Sequence, residues 1–415
     1  MTRPWAVHPR NFATNRLRKT LPADAIAGIS VALVLLPQAL AYADLAGLPP
    51  WRGLLAAGLP PLVASVFASS PWLQTGPTAI TALLCYGALA PLAPIGSIEH
   101  AGLAALLAIL VGLIRAVLGR MRAGVLAALL SQSVLVGFTL AAALLIFASQ
   151  VPGLFDVQAE GATTLRRAAE VLSSPARWRL TAPIAAAITV VLVLGSARVH
   201  RLFPGVLVAV LGGALIGPWL GYQGSTLGEL PSIVPSLAFD LPWTRLDELL
   251  LPALVLAIAG FAEVAAVSQR FAERERVRWN PDRELFAQGV GNITSGLVGG
   301  MPVGGSFARS SLGHLSGGRT RLAGAIAGAA ILLSGPFISA LATLPRAVLA
   351  GIVVAATRSL FDPRPLLKLW RLSQSQAVIA AWTFCMTLAL APRVELGLLA
   401  GMAVAVAIHL WRELD

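Results

Sequence analysis

Two stretches of this chain carry the residue types that hold an anion. Gln74-Thr-Gly-Pro-Thr78 and Pro302-Val-Gly-Gly-Ser306 each set Gly/Pro-rich, hydroxyl-bearing backbone just before a short apolar run. A helix that starts there leaves its first N–H groups unpaired and carries a partial positive charge. Two such ends aimed at one point form an anion site. The Thr78 and Ser306 hydroxyls can cap their helices, donate to an anion, or do both. The backbone at Ala79, Phe307 and Ala308 belongs to the same cradle. Gln38, Glu263 and Arg309 also fall within apolar stretches. A polar group at such depth must be bonded, or must face a cavity or a counter-charge. Glu263 and Arg309 can therefore serve a substrate or pair with each other.

The elements that position these residues are membrane spans. Of 415 residues, 57% are hydrophobic and 12% charged, and the mean hydropathy is +0.78. This composition predicts an all-α polytopic membrane protein. Fourteen apolar segments lie between residues 24 and 411. Two are conspicuously short, 78–92 and 305–315. They are the third and the tenth, so each is third in a set of seven. Seven spans being an odd number, the two sets run in opposite senses, as a 7+7 inverted repeat. Interrupted segments at matching positions of two halves point to a transporter's central site. Basic residues test the count. With the N-terminus inside and sides alternating, 22 Lys and Arg fall on cytoplasmic segments, 8 on outer ones, and Arg309 stays in the membrane. That bias follows the positive-inside rule with both termini cytoplasmic. Arg115, Arg120 and Arg122 are assigned to one inner segment. The basic stretch 1–19 lacks an apolar signal core, so the first span is expected to act as the insertion signal.

Other classes are excluded by pattern. The net charge of +12 is spread in small clusters between spans, which is not a nucleic-acid surface. Five scattered histidines, and cysteines Cys85 and Cys385 without paired spacing, supply no metal site and no catalytic cluster. No cofactor and no enzymatic activity are expected. Gly324…Gly328 and Gly397…Gly401 are close-packing spacings, within the chain or in a homodimer. Asn292-Ile-Thr294 lies in an apolar span and reads as a polar packing feature. The connections 152–180 and 219–247 are expected to cap the outer side with short helices. Arg270–Glu284 alternates in charge and reads as a solvated helical extension and turn, ended near Pro281.

Several motifs in order resemble the sulfate permease family, also known as solute carrier family 26. They are Pro37-Gln-Ala-Leu-Ala-Tyr-Ala43 with Leu45-Ala-Gly-Leu-Pro-Pro50, Gln74–Thr78, and Glu263 with Asn280 and Glu284. Gly291-Asn292 and Gly304-Gly-Ser-Phe-Ala-Arg-Ser310 follow. The resemblance runs to about residue 411. It implies a core domain from spans 1–4 and 8–11 (24–119 and 248–341). A gate domain would come from spans 5–7 and 12–14 (120–220 and 342–411). Residues 1–23 would form a cytoplasmic segment and 221–247 an outer connection. It implies that Gln38 faces the substrate with Tyr42 beside it, and that Arg309 supplies positive potential. It also implies elevator-like transport of sulfate, bicarbonate or a dicarboxylate across a bacterial inner membrane. Glu263 would carry a proton for symport. An uncoupled exchanger, or a channel-like chloride or bicarbonate pathway, is the alternative. Family members usually continue into a cytoplasmic STAS domain; here the expectation is the membrane domain without one.

Overall fold

The computed structural model describes residues 14–124, 131–161, 163–199, 203–219, 221–228, 230–231, 237 and 240–414. Most of the expected N-terminal segment 1–23, with Arg3 and Arg10, lies outside these residues. The described residues form sixteen α-helices and two very short strands. In the first half these are α1 (Thr14–Leu45), α2 (Arg52–Phe67), β1 (Thr75–Gly76), α3 (Ala79–Leu89), α4 (Ile98–Arg120), α5 (Gln132–Phe155), α6 (Thr164–Leu172), α7 (Thr181–Val199) and α8 (Gly205–Trp219). The second half has α9 (Leu246–Glu275), α10 (Pro281–Leu297), β2 (Gly304–Gly305), α11 (Phe307–Leu315), α12 (Leu322–Ser334), α13 (Arg346–Thr357), α14 (Arg364–Leu372), α15 (Gln374–Ala389) and α16 (Val394–Leu414). Five helical stretches are long and apolar enough to cross a bilayer: 20–45, 98–120, 132–155, 243–275 and 322–341.

The helices pack in two groups. In one, α10 lies against α4 and α2, α1 against α12, α2 and α11, and α4 against α9. In the other, α13 lies against α5 and α7, α15 against α5 and α16, and α7 against α8. Contacts of α1 with α8 and α13, and of α3 with α5 and α16, join the groups. On α7, α8 and α16 the side chains of Val191, Leu215 and Val406 are exposed. That pattern suits a hydrocarbon surround rather than water.

Closest helix contact in the first group depends on small residues. A Cβ on Gly289 of α10 would come within 2.5 Å of the Ala116 nitrogen and 2.8 Å of the Gly112 carbonyl on α4. Backbone cannot yield as a side-chain tip can, so this crossing excludes anything larger. Charged residues then tie helix ends together. Glu284 Oε2 accepts from the Ser69 and Ser70 amides at 2.9 and 2.7 Å, just beyond α2. Asp24 of α1 accepts from the Arg319 and Thr320 amides at 2.7 and 2.9 Å, before α12. A carboxylate there satisfies donors ahead of a helix N-terminus and complements its partial positive charge.

The charged stretch runs as a helical extension and then a turn: α9 stops at Glu275, Arg276 follows with φ +53°, and Pro281 opens α10. Proline is well placed in a first turn because its missing N–H would be unpaired there anyway. Asn280 accepts from the Arg283 amide at 3.0 Å and caps the new helix. The first helix begins before residue 24, within the stretch expected as a separate cytoplasmic segment. The outer connection 152–180 does carry short helices, α6 and a 3-10 turn at Pro175–Arg177. In 219–247 the described residues show a 3-10 turn at Trp243–Arg245.

Gly289→Leu should disrupt the α4–α10 crossing. The expected cost is about 1–3 kcal/mol or more, typical of overpacking a close contact. It would be read as a lower melting temperature in detergent. An unchanged melt would show that the crossing tolerates bulk.

Candidate anion site between two short helices

The two motifs meet. β1 and β2 pair antiparallel, with Thr75 opposite Gly305 and Gly76 opposite Gly304. The pairing continues one step further, where the Ser306 amide donates to the Gln74 carbonyl at 3.1 Å. The Gln74 amide donates to Ser310 Oγ at 2.9 Å. Chain leaves this pairing directly into α3 on one side and α11 on the other. These helices have 11 and 9 residues, so each spans about half of a ~30 Å hydrocarbon core.

Capping decides which backbone donors remain. At α3, Thr78 and Thr81 form a reciprocal capping box. The Thr81 amide donates to Thr78 Oγ1 at 3.2 Å and the Thr78 amide to Thr81 Oγ1 at 3.0 Å. At α11, Ser306 Oγ accepts from the Arg309 amide at 3.4 Å. The first four amides of a helix have no intrahelical carbonyl. The caps and the Gln74 carbonyl satisfy two at each end. The amides left over are those of Ala79 and Ile80 in α3, and of Phe307 and Ala308 in α11. Thr78 and Ser306 are thus capping residues in this structure; the Thr78 hydroxyl also lies 3.1 Å from Thr81 Oγ1, and the Ser306 hydroxyl retains a proton able to donate elsewhere.

Arg309 lies across this junction. Its Nη1 donates to Gln38 Oε1 of α1 at 3.3 Å. Its Nε and Nη2 are buried with no hydrogen-bond partner. Gly76 makes room for it: φ is +152°, and a Cβ there would meet Nη2 at 3.3 Å. Only glycine suits both that backbone and that approach. Because Gln38 Oε1 receives the guanidinium, the Gln38 NH2 group is the end left to donate. Tyr42, one turn along α1, is buried and within electrostatic reach of Arg309 and Glu263.

Glu263 lies on α9, which packs along β2; the next residue, Val264, faces Gly305. Its Oε2 is buried with no hydrogen-bond partner. Among the described residues no ion pair within 4.0 Å joins it to Arg309. The two interact across a longer gap, and Arg115 adds a second positive charge. Phe307 contributes only backbone here. Its ring is 42% exposed, lies by Phe271, and carries the Arg270 guanidinium 4.8 Å from its centroid. Ala308 is exposed and Ala79 buried.

Three further residues support the site, of which Arg115 and Gln288 escape a reading by charge or motif. Arg115 is not in an inner loop; α4 extends to Arg120 and buries it. Counting positive charge by segment cannot separate a cation in the last turns of a span from one beyond it. Gln288 donates to Thr75 Oγ1 at 2.8 Å. Asn292, one turn on, donates to the Val303 carbonyl at 3.0 Å and accepts from the Val303 amide at 2.9 Å. Gln288 therefore holds β1 itself, and Asn292 holds the residue just before β2. The i, i+4 spacing of two amides in an apolar span was the available signal. Asn292 is fully buried, as a polar packing feature requires.

This helical fold matches solved transmembrane domains. Murine solute carrier 26 family member A9, described as an anion transporter in the inward-facing state, superposes with a TM-score of 0.89 at 19% identity. The match covers 98% of this chain and 72% of that one. The transmembrane domain of the cyanobacterial bicarbonate transporter BicA gives 0.79 at 23% identity, covering 94% and 98%. At the level of sequence, the sulfate permease family model matches residues 21–383. The chain belongs to that family, which consists of multi-pass membrane transporters and not enzymes. A probable sulfate transporter of Mycobacterium tuberculosis is 34% identical over 94% of this chain and 70% of the relative. The chloroplastic sulfate transporter 4.1 of Arabidopsis thaliana is 30% identical over 96% and 59%. The chain spans 59% to 70% of the length of these curated relatives.

Asn292→Ala should unpair the Val303 amide and loosen the start of β2. The expected loss is about 1–3 kcal/mol, the cost of a buried donor without a partner. Denaturation in detergent would register it, and wild-type stability would show that Val303 finds another partner.

Proposed function

We propose that the chain is a secondary transporter of a small anion of the sulfate, bicarbonate or dicarboxylate class, driven by proton symport. One observation carries this reading. Unpaired amides of Ala79, Ile80, Phe307 and Ala308 flank a buried guanidinium, Arg309, whose Nε and Nη2 have no partner. Buried donors without acceptors, as at Arg309, are costly, and a bound anion would satisfy them together with the free helix amides. The named activities of the mycobacterial and Arabidopsis relatives support sulfate, and that of BicA supports bicarbonate.

In this reading the anion rests on the two helix N-termini. Thr78 and Ser306 donate hydroxyl hydrogens at its edge, Gln38 donates its amide, Tyr42 flanks it, and Arg309 supplies the field. Glu263 governs loading. Ionised, it repels the incoming anion; protonated, it does not, and its proton travels with the cargo. An isolated carboxylate at membrane depth is suited to that exchange.

The translocation step follows from a 7+7 inverted repeat of fourteen spans. Residues 24–119 and 248–341 form a moving core that carries both short helices. Residues 120–220 and 342–411 form a static gate, with 221–247 as an outer connection. The two packing groups support this division, and so does the antiparallel meeting of β1 and β2. Both termini are then cytoplasmic in a bacterial inner membrane, and gate contacts are available for a homodimer.

Glu263→Gln tests the coupling in proteoliposomes. Accumulation of labelled anion driven by an inward proton gradient should fall about tenfold or more, while anion counterflow at equal pH persists. Full pH-gradient-driven uptake by the variant would contradict proton carriage by Glu263.

A further inference from the structure

Arg115 is a fully buried cation with no carboxylate in direct contact among the described residues. It is 1% exposed on α4. Nε donates to the Ala257 carbonyl at 3.0 Å, Nη2 to the Leu256 carbonyl at 2.9 Å, and Nη1 to the Val303 carbonyl at 3.1 Å. No ion pair within 4.0 Å reaches it among the described residues. Gly260 creates the space it occupies, since a Cβ there would stand 2.4 Å from Nη2. One planar group thus joins three segments: α4, the turns of α9 ahead of Glu263, and the residue that precedes β2. Asn292 holds the same Val303 from the other side.

Such an arrangement is expensive as packing alone. A buried guanidinium without a counter-ion loses hydration that carbonyl groups replace only in part. A neutral side chain could fill the space at less cost. What the charge adds is a fixed positive potential, because Arg115 is within electrostatic reach of Glu263. Its fork shape adds registry, since three carbonyls on two segments must meet one plane.

We propose that Arg115 is a positioning residue for transport. It locks α9 and the Val303–Ser306 segment together, so that Glu263 and α11 move as one body, and it supplies a second fixed positive charge behind Glu263. This rests on the symport reading above. The other charged and titratable groups around Glu263 are Arg309 from α11 and Tyr42 from α1. Glu284 of α10 is held by Ser69 and Ser70, and Glu395 of α16 faces Arg393. A cation near a carboxylate acts on its protonation equilibrium, so loss of Arg115 should alter how transport responds to pH.

The test uses the full chain in proteoliposomes, with labelled sulfate, bicarbonate and chloride as probes, across external pH. Arg115→Met should lower the maximal rate about tenfold and move the pH optimum. Arg115→Lys keeps the charge but not the three-carbonyl fork, so it should keep the wild-type pH optimum at a reduced rate. Gly260→Ala should also reduce the rate, by displacing the guanidinium with every charge still present. If Arg115→Met does not yield folded protein, Arg115→Lys and Gly260→Ala carry the test. Wild-type rates in both overturn the proposal, as does a folded Arg115→Met variant with an unmoved pH optimum. A wild-type protein that moves none of the three anions overturns the transporter reading itself, and this proposal with it. A functioning wild type with unaltered variants overturns the role of Arg115 alone.

Discussion

Everything in this molecule turns on two helices that begin in its interior. Their first amides find no carbonyl within their own helix, so the protein must supply each with a partner or leave it for a ligand. The short pairing of β1 with β2 resolves half of that problem. It brings the two starts side by side and consumes the Ser306 amide on the Gln74 carbonyl. Capping by Thr78, Thr81 and Ser306 consumes more. What remains is a small set of donors pointing outward from adjacent helix ends, next to a guanidinium that is itself only partly satisfied. The electropositive character of the site comes from backbone and one arginine, not from a basic surface.

The surrounding helices hold that geometry by polar contacts to backbone. Gln288 grips Thr75, Asn292 grips Val303, and Arg115 grips Val303 and α9. The contacts to Thr75 and Val303 lie in or next to the paired strands, where a small displacement would misalign the helix ends. Apolar packing alone could not fix them, because lipid tails are as apolar as leucine and offer little drive to register. Glycines at Gly76, Gly260 and Gly289 set how closely backbone and guanidinium groups may approach.

Much of this was legible in the sequence, and the reasons are physical. Gly/Pro-rich starts before short apolar runs located α3 and α11 within two residues. Isolated polar residues in apolar spans exposed Gln38, Glu263 and Arg309, because the hydrocarbon tolerates them only with a purpose. Arg115 was hidden by its position near the end of a span, where sequence cannot tell a loop cation from a buried one. Pro281 marks the end of the turn, and the cap at Asn280 shows that the same residue opens the next helix. The orientation of Phe307 was also beyond reach, since its neighbours Phe271 and Arg270 come from a distant part of the chain.

The central claim is that one anion occupies the junction of the two short helices. A crystal structure with an anomalous scatterer, selenate in place of sulfate or bromide in place of chloride, tests it most directly. The account predicts one peak bounded by Arg309, the Gln38 amide and the amides of Ala79, Ile80, Phe307 and Ala308. An ordered peak elsewhere, with no anion at this junction under saturating conditions, would contradict it.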